Sequence, residues 1–223
     1  MESEGKITVA YWKIRGLFRH IQYVLEYCGA DYDTKIYEAG GPPDYCRKVW
    51  FDNKFNLGLD FPNLPYLVDG DFKMTETVPI IFYIAEKYKP EILGETPQEK
   101  ATIQMLMNII HFEAKEPITW DFYLIEDRAK TLEGAIKAIE PIAKFLGDKD
   151  YFMGDKPMLP DLHIAELVHL VLAIDTEGEF AEKFPNIVAL QKRVDNLPEI
   201  KAFLESDRCK DIPFHNLNAK QNP

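Results

Sequence analysis

The period of the apolar positions changes once along the chain. Residues 6–12 (Lys-Ile-Thr-Val-Ala-Tyr-Trp) are rich in β-branched and aromatic side chains and predict a strand. After Gly16, apolar positions recur at Ile21, Val24, Leu25 and Cys28, a helical spacing that Gly29 ends. Alternation from Tyr32 to Tyr37 predicts a second strand. Gly40-Gly41-Pro42-Pro43 reads as a loop, and a short helix is expected from Tyr45 to Asp52. Residues 66–69 and 71–74 flank Gly70 as a tight hairpin. A helix from Thr77 to Lys87 completes the order β-α-β-α-β-β-α.

A linker runs from Lys89-Pro90 to about Pro97, and beyond it only the helical period is found. Helices are expected near 97–126, 129–146, 160–172, 186–196 and 198–206, as Leu162, Ala165, Leu167, Val168 and Leu172 illustrate. Pro117 should kink the first of these. The polar residues 207–223 are expected to be loosely held. The fold class is α/β plus all-α, in two domains, 1–89 and 90–223.

Composition narrows the partners. Of 223 residues, 46% are hydrophobic and 28% charged, an ordinary globular balance. The net charge of −11 disfavours nucleic acid and anionic membrane, which need a basic footprint. The acid is uneven: residues 1–88 hold 10 basic and 13 acidic side chains, and residues 89–223 hold 16 and 24. The N-terminal Met-Glu-Ser-Glu-Gly-Lys has no apolar run, so no signal or transit peptide is expected. Cys28, Cys46 and Cys209 have neither disulfide nor zinc spacing, and the five histidines form no ligand pattern, so no metal site is expected. The chain reads as cytoplasmic.

The candidate chemistry lies mostly in the first half. Tyr11 ends the first strand, where an α/β unit presents side chains to its ligand crevice, and its hydroxyl can donate to an anion; a half-buried strand tyrosine is the plainer reading. Asn63-Leu64-Pro65 precedes a strand. It is either an ordinary trans loop or a cis bond that turns the Leu64 backbone outward to pair with an extended peptide. Thr77 is a natural N-cap beside Glu76, leaving helix N–H groups for an anion. Arg47, Trp50 and Lys54 share a helical face and offer cations and an indole N–H to a carboxylate, or form a solvated basic face. Asp161, near a helix start, reads as structural.

The string Tyr11-Trp12-Lys13-Ile14-Arg15-Gly16-Leu17, then Asp44-Tyr45, Trp50 and the run from Lys54 to Leu67, resembles the mu class of cytosolic glutathione transferases. The likeness is dense over 7–88 and colinear to the C-terminus. It implies a thioredoxin-like first domain that binds glutathione as co-substrate, with no permanently bound cofactor. It implies an all-helical second domain carrying much of the pocket for small hydrophobic electrophiles, and detoxification as the role. It also implies a homodimer in which Phe61 enters the neighbouring subunit. Within it, Tyr11 is catalytic and Trp12 and Leu17 line the sulfur end. Trp50 and Lys54 meet the glycyl carboxylate, with Arg47 as a wall. Leu64, set by Asn63 and Pro65, clamps the cysteinyl part, and Glu76 and Thr77 hold the γ-glutamyl part. The electrophile pocket is expected from Phe122 or Tyr123, with Phe214 and His215.

Three departures stand out. Glu76-Thr77 replaces the class's Gln-Ser. Phe112, followed by Glu113, replaces an Asp that holds the ammonium from the other subunit. Met158 replaces a capping hydroxyl, which puts the start of the Asp161 helix in question. Glu76, with Glu113, is expected to take over the missing Asp's role. The alternatives to conjugation are a non-catalytic glutathione-binding or structural relative, and a glutathione-dependent isomerase or peroxidase.

Overall fold

The computed structural model describes residues 6–223; the N-terminal segment read above for a leader, apart from Lys6, lies outside them. Strand β1 (Ile7–Trp12) is followed by α1 (Gly16–Tyr27) and β2 (Tyr32–Tyr37). A helical crossover returns the chain parallel to where it began, so β1 and β2 pair in parallel with Tyr11 opposite Ile36. After α2 (Lys48–Phe51), a 3₁₀ turn (Lys54–Asn56) leads to β3 (Tyr66–Asp69) and β4 (Phe72–Thr75). Gly70, at φ +59°, makes the hairpin bend. The sheet order is β2-β1-β3-β4, with β3 antiparallel to both neighbours. Helix α3 (Thr77–Tyr88) buries Ile80, Ile81, Ile84 and Ala85 and packs beside α1.

The rest is helical: α4 (Pro97–Asn108), a π-helical segment (Ile109–Lys115), α5 (Glu116–Leu124), α6 (Arg128–Leu146), α7 (Leu159–Leu172), α8 (Glu179–Lys183), α9 (Pro185–Asp195) and α10 (Pro198–Glu205). The long helix expected over 97–126 is therefore divided. Pro117 has no N–H for the Glu113 carbonyl, and the turns before it widen to π geometry. The five-residue α8 lies where no helix was expected. Thr96 opens α4 with a capping box: its Oγ1 accepts from Glu99 N–H, and Glu99 accepts from Thr96 N–H. Helix α7 is buried on nearly every face and forms the centre of the helical half.

Two expectations are corrected. The start of α7 has no side-chain cap from Met158, but it is secured from inside the helix. Asp161, fully buried, accepts from Phe152 N–H and Met158 N–H, each at 2.8 Å. Burial pushes its carboxyl up to about 7, against the backbone bonds that favour the ionised form. The tail is packed rather than loose. Gln221 N–H donates to Phe122 O, its side chain donates to Ile125 O and Thr131 Oγ1, and Asn222 and His215 exchange two bonds. A polar segment is ordered here because its amides satisfy carbonyls at the end of α5.

The two halves meet across α1 and α7 through buried polar groups. Arg15 makes a two-pronged bond to Glu166, at 2.9 and 2.6 Å. His20 Nδ1 contacts His163 O at 2.9 Å, and His111 Nδ1 contacts His163 Nε2 at 3.1 Å. Lys115, also buried, bonds Glu116 at 2.8 Å. Burial, then the Lys115 charge, lowers His20 and takes His111 down to about 4; burial and the other two histidines lower His163. All three imidazoles are neutral in the folded chain. Unfolded, they titrate near ~6.5, so between there and about 4 the unfolded state binds more protons. Below about pH 6.5 these groups cost stability as the pH drops, His111 alone on the order of 3 kcal/mol by about pH 4. Asp161, raised to about 7, opposes them because the folded chain takes up its proton first, and the several histidines outweigh that one carboxyl, so stability should fall. Glu116, held below its usual range by Lys115 despite its burial, adds a loss of the same sign at lower pH. Urea unfolding at several pH values measures this, and a flat profile between about pH 7 and 5 contradicts it.

Candidate functional site

Tyr11 stands near the C-terminal end of β1, in the middle of the sheet, with 7% of its surface exposed. Burial raises its hydroxyl pKa. The Leu17 N–H opposes the rise, and Tyr123 and Glu116 add to it. The hydroxyl is thus a protonated donor at neutral pH and not a base. Gly16, at φ +36°, lets the turn between β1 and α1 pass close to the ring: a Cβ there would lie 3.1 Å from the Tyr11 hydroxyl oxygen.

The sheet register gathers the other residues around this point. Ala10 pairs with Tyr66 and Tyr66 with Thr75, so the end of β1, the approach to β3 and the start of α3 lie side by side. The Leu64-Pro65 bond is cis. Leu64 is buried, and its backbone makes no hydrogen bond with the described residues. Asn63 Nδ2 donates to Glu76 Oε1 at 3.3 Å. The N-cap of α3 is Glu76, at φ 76°, and not Thr77 as expected; Thr77 is the first helical residue and is nearly fully buried. Neither side chain caps the helix, since Glu76 is turned toward Asn63.

The basic side of the cleft is more dispersed. Trp50 is 4% exposed and stacks on Tyr66 at 6.2 Å, edge-on to Tyr37 at 5.4 Å. Lys54 Nζ lies 5.9 Å from the Trp50 ring, and exposed Arg47 stands 5.7 Å over Phe51. Trp12 meets Tyr37 edge-on at 6.2 Å, and Leu17 is half-buried in the first turn of α1.

Between loop 38–47 and tail residues 213–218 lies a cleft of about 330 Å³, its walls including Lys13, Ile14, Arg47 and His215. His215 is 2% exposed, tilted against Phe122 at 4.9 Å and edge-on to Tyr123 at 5.2 Å, and burial followed by the Lys115 charge lowers it to about 4. Of the pair left open by the sequence, Phe122 has no exposed surface, and half-buried Tyr123 accepts from Asn216 N–H at 3.2 Å. Phe214 faces inward, with the Arg15 guanidinium 3.8 Å from its ring centre. Lys13, Ile14 and the Arg15–Glu166 pair were not singled out from the sequence. Arg15 and Glu166 are 151 positions apart, and no spacing signals such a contact. The histidine group was missed for the same reason. Among the described residues no group is arranged to hold a metal ion.

Comparison with known proteins gives the following. The family model "Glutathione S-transferase, N-terminal domain" matches residues 7–86, and "Glutathione S-transferase, C-terminal domain" matches 126–207. The chain is 35% identical over 214 residues to Glutathione S-transferase Mu 4 of Mus musculus, covering 94% of this chain and 95% of that one. It is 33% identical over 222 residues to Glutathione S-transferase Mu 3 of Homo sapiens, covering 99% and 97%. The crystal structure of the glutathione S-transferase Blo t 8 superposes with a TM-score of 0.80 at 26% identity, over 96% of this chain and 99% of that one.

The close approach at Gly16 is testable. Gly16→Ala places a methyl against Tyr11 and Ile14 at a positive φ. It should cost about 1–2 kcal/mol in urea unfolding. Native stability in that variant contradicts the geometry.

Proposed function

The chain belongs to the glutathione S-transferase family, and from that premise we propose that it conjugates glutathione to electrophilic carbon with Tyr11 as the catalytic residue. The observation that carries this reading is a buried, protonated hydroxyl beside a free peptide edge at Leu64. A free thiol with a pKa near ~8.5 is only a few per cent ionised at neutral pH. A hydroxyl that donates to the sulfur favours thiolate over thiol. The thiolate then bonds to the electrophilic carbon and the leaving group departs with its electron pair. The nucleophile belongs to the substrate, so the three unpaired cysteines have no part in the step. They also fit a cytoplasmic chain, and no helix among the described residues is long and apolar enough to cross a membrane.

Residues 1–89 act as the glutathione-binding unit. The Leu64 backbone pairs with the cysteinyl part, and Asn63 and Pro65 shape that edge. Trp12 and Leu17 line the sulfur end, and Arg47, Trp50 and Lys54 take the glycyl carboxylate. Thr77 and the first N–H groups of α3 take the γ-glutamyl carboxylate. Glu76, fixed by Asn63, pairs with the ammonium. Residues 90–223 supply much of the electrophile pocket, where Tyr123 is the exposed member of its pair and the wall formed by His215 is stiffened by its ring contacts. Phe61 is 81% exposed, which suits an aromatic side chain that enters a second copy of the chain. Phe112 is also exposed, at 58%.

Three outcomes test this. Tyr11→Phe should lower conjugation of a nitroaromatic chloride at neutral pH about ten- to a hundredfold while glutathione still binds. A native chain that binds glutathione without turnover favours the non-catalytic reading instead. Glu76→Gln should weaken glutathione binding about five- to twentyfold in titration calorimetry, since a charged partner is replaced by a neutral one; unchanged affinity removes Glu76 from the ammonium site. Phe61→Glu should convert a dimer to a monomer in sedimentation, and a dimer that persists refutes its contact role.

A further inference from the structure

The turn from Arg15 to Leu17 opens with two backbone N–H groups that are both taken up by the C-terminal tail. Arg15 N–H donates to Pro213 O at 2.7 Å, and Gly16 N–H donates to Phe214 O at 3.0 Å. The same turn runs close to Tyr11: a Cβ on Gly16 would lie 3.1 Å from the Tyr11 hydroxyl oxygen. Helix α1 has no side-chain cap, so the first two donors would have no partner in the protein without the tail. The side chains repeat the connection. The Arg15 guanidinium is fixed to Glu166 of α7 through two nitrogens and lies 3.8 Å from the centre of the Phe214 ring. Both partners of the ion pair are largely buried, at 17% and 3% exposure, so the pair has one geometry and not several.

We propose that Phe214 is a positioning residue for the Tyr11 hydroxyl. Its ring against Arg15, with the carbonyls of residues 213 and 214, holds the turn that passes against that hydroxyl. The inference rests on the reading of Tyr11 as the donor to the sulfur. Phe214 touches neither Tyr11 nor the reacting atoms in this scheme. It acts through Arg15 and Gly16. Loss of the ring frees the guanidinium face and loosens the tail carbonyls. The turn at Gly16 then shifts against Tyr11, and the donor no longer points at one place.

The test uses the full chain. Phe214→Leu keeps apolar bulk and removes the ring, Phe214→Tyr keeps the ring, and Arg15→Lys keeps the charge and removes the planar stack. The readout is the apparent thiol pKa of bound glutathione, followed by the ultraviolet absorbance of the thiolate, together with kcat/KM at about pH 6.5. Phe214→Leu and Arg15→Lys should raise the thiol pKa and lower kcat/KM about three- to tenfold, and Phe214→Tyr should keep the native thiol pKa. Placed on Tyr11→Phe, Phe214→Leu should add no further shift, because the group it positions is gone. A native thiol pKa in folded Phe214→Leu, or an equal shift with and without Tyr11, overturns the proposal and indicates a purely structural role. If Tyr11→Phe alone leaves the thiol pKa native, the donor reading fails first and this inference falls with it.

Discussion

The molecule depends on how the turn between β1 and α1 is held. That turn carries Gly16 past the Tyr11 ring, and it cannot be secured by its own side chains, because α1 begins without a cap. The rest of the chain secures it. Glu166 reaches from α7 to Arg15, and the tail returns across more than a hundred residues to accept its N–H groups. Removing one partner of such a buried pair typically costs about 3–5 kcal/mol, since the other charge is left without solvent or counterion. The interface between the halves is therefore part of the site and not only a support beneath it.

Charge operates on two scales here. The net charge of −11 describes the surface and the macromolecules it disfavours. At the site, local fields dominate. Burial keeps Tyr11 protonated, and the same burial keeps three histidines and His215 neutral around Lys115. Glutathione is itself anionic, with two carboxylates and one ammonium. In the proposed binding mode its fit rests on Lys54, Arg47, the start of α3 and Glu76 and not on the total.

The strands, the crossover helix and the hairpin were legible because each is set by local pattern: β-branched and aromatic composition in β1, alternation in β2, and Gly70 at the bend. The helical half was legible in outline, but the π segment was not, because it arises from the geometry around Pro117 and not from a change of period. The start of α7 seemed weak in sequence for want of a hydroxyl at Met158. The bonds from Asp161 are visible only when Phe152 is brought alongside. The tail looked loose because it is polar, and its order comes from carbonyls at the end of α5 that it reaches only in the folded chain.

By itself the sequence determined the fold class and the family, because these rest on periodicity and on dense local strings. The tertiary structure decided what depends on distance. Glu76 and not Thr77 occupies the cap, Tyr123 and not Phe122 keeps exposed surface, and Phe214 lies on Arg15. Local strings specify backbone conformation. Burial, and with it protonation and side-chain partners, is set by residues far apart in the chain.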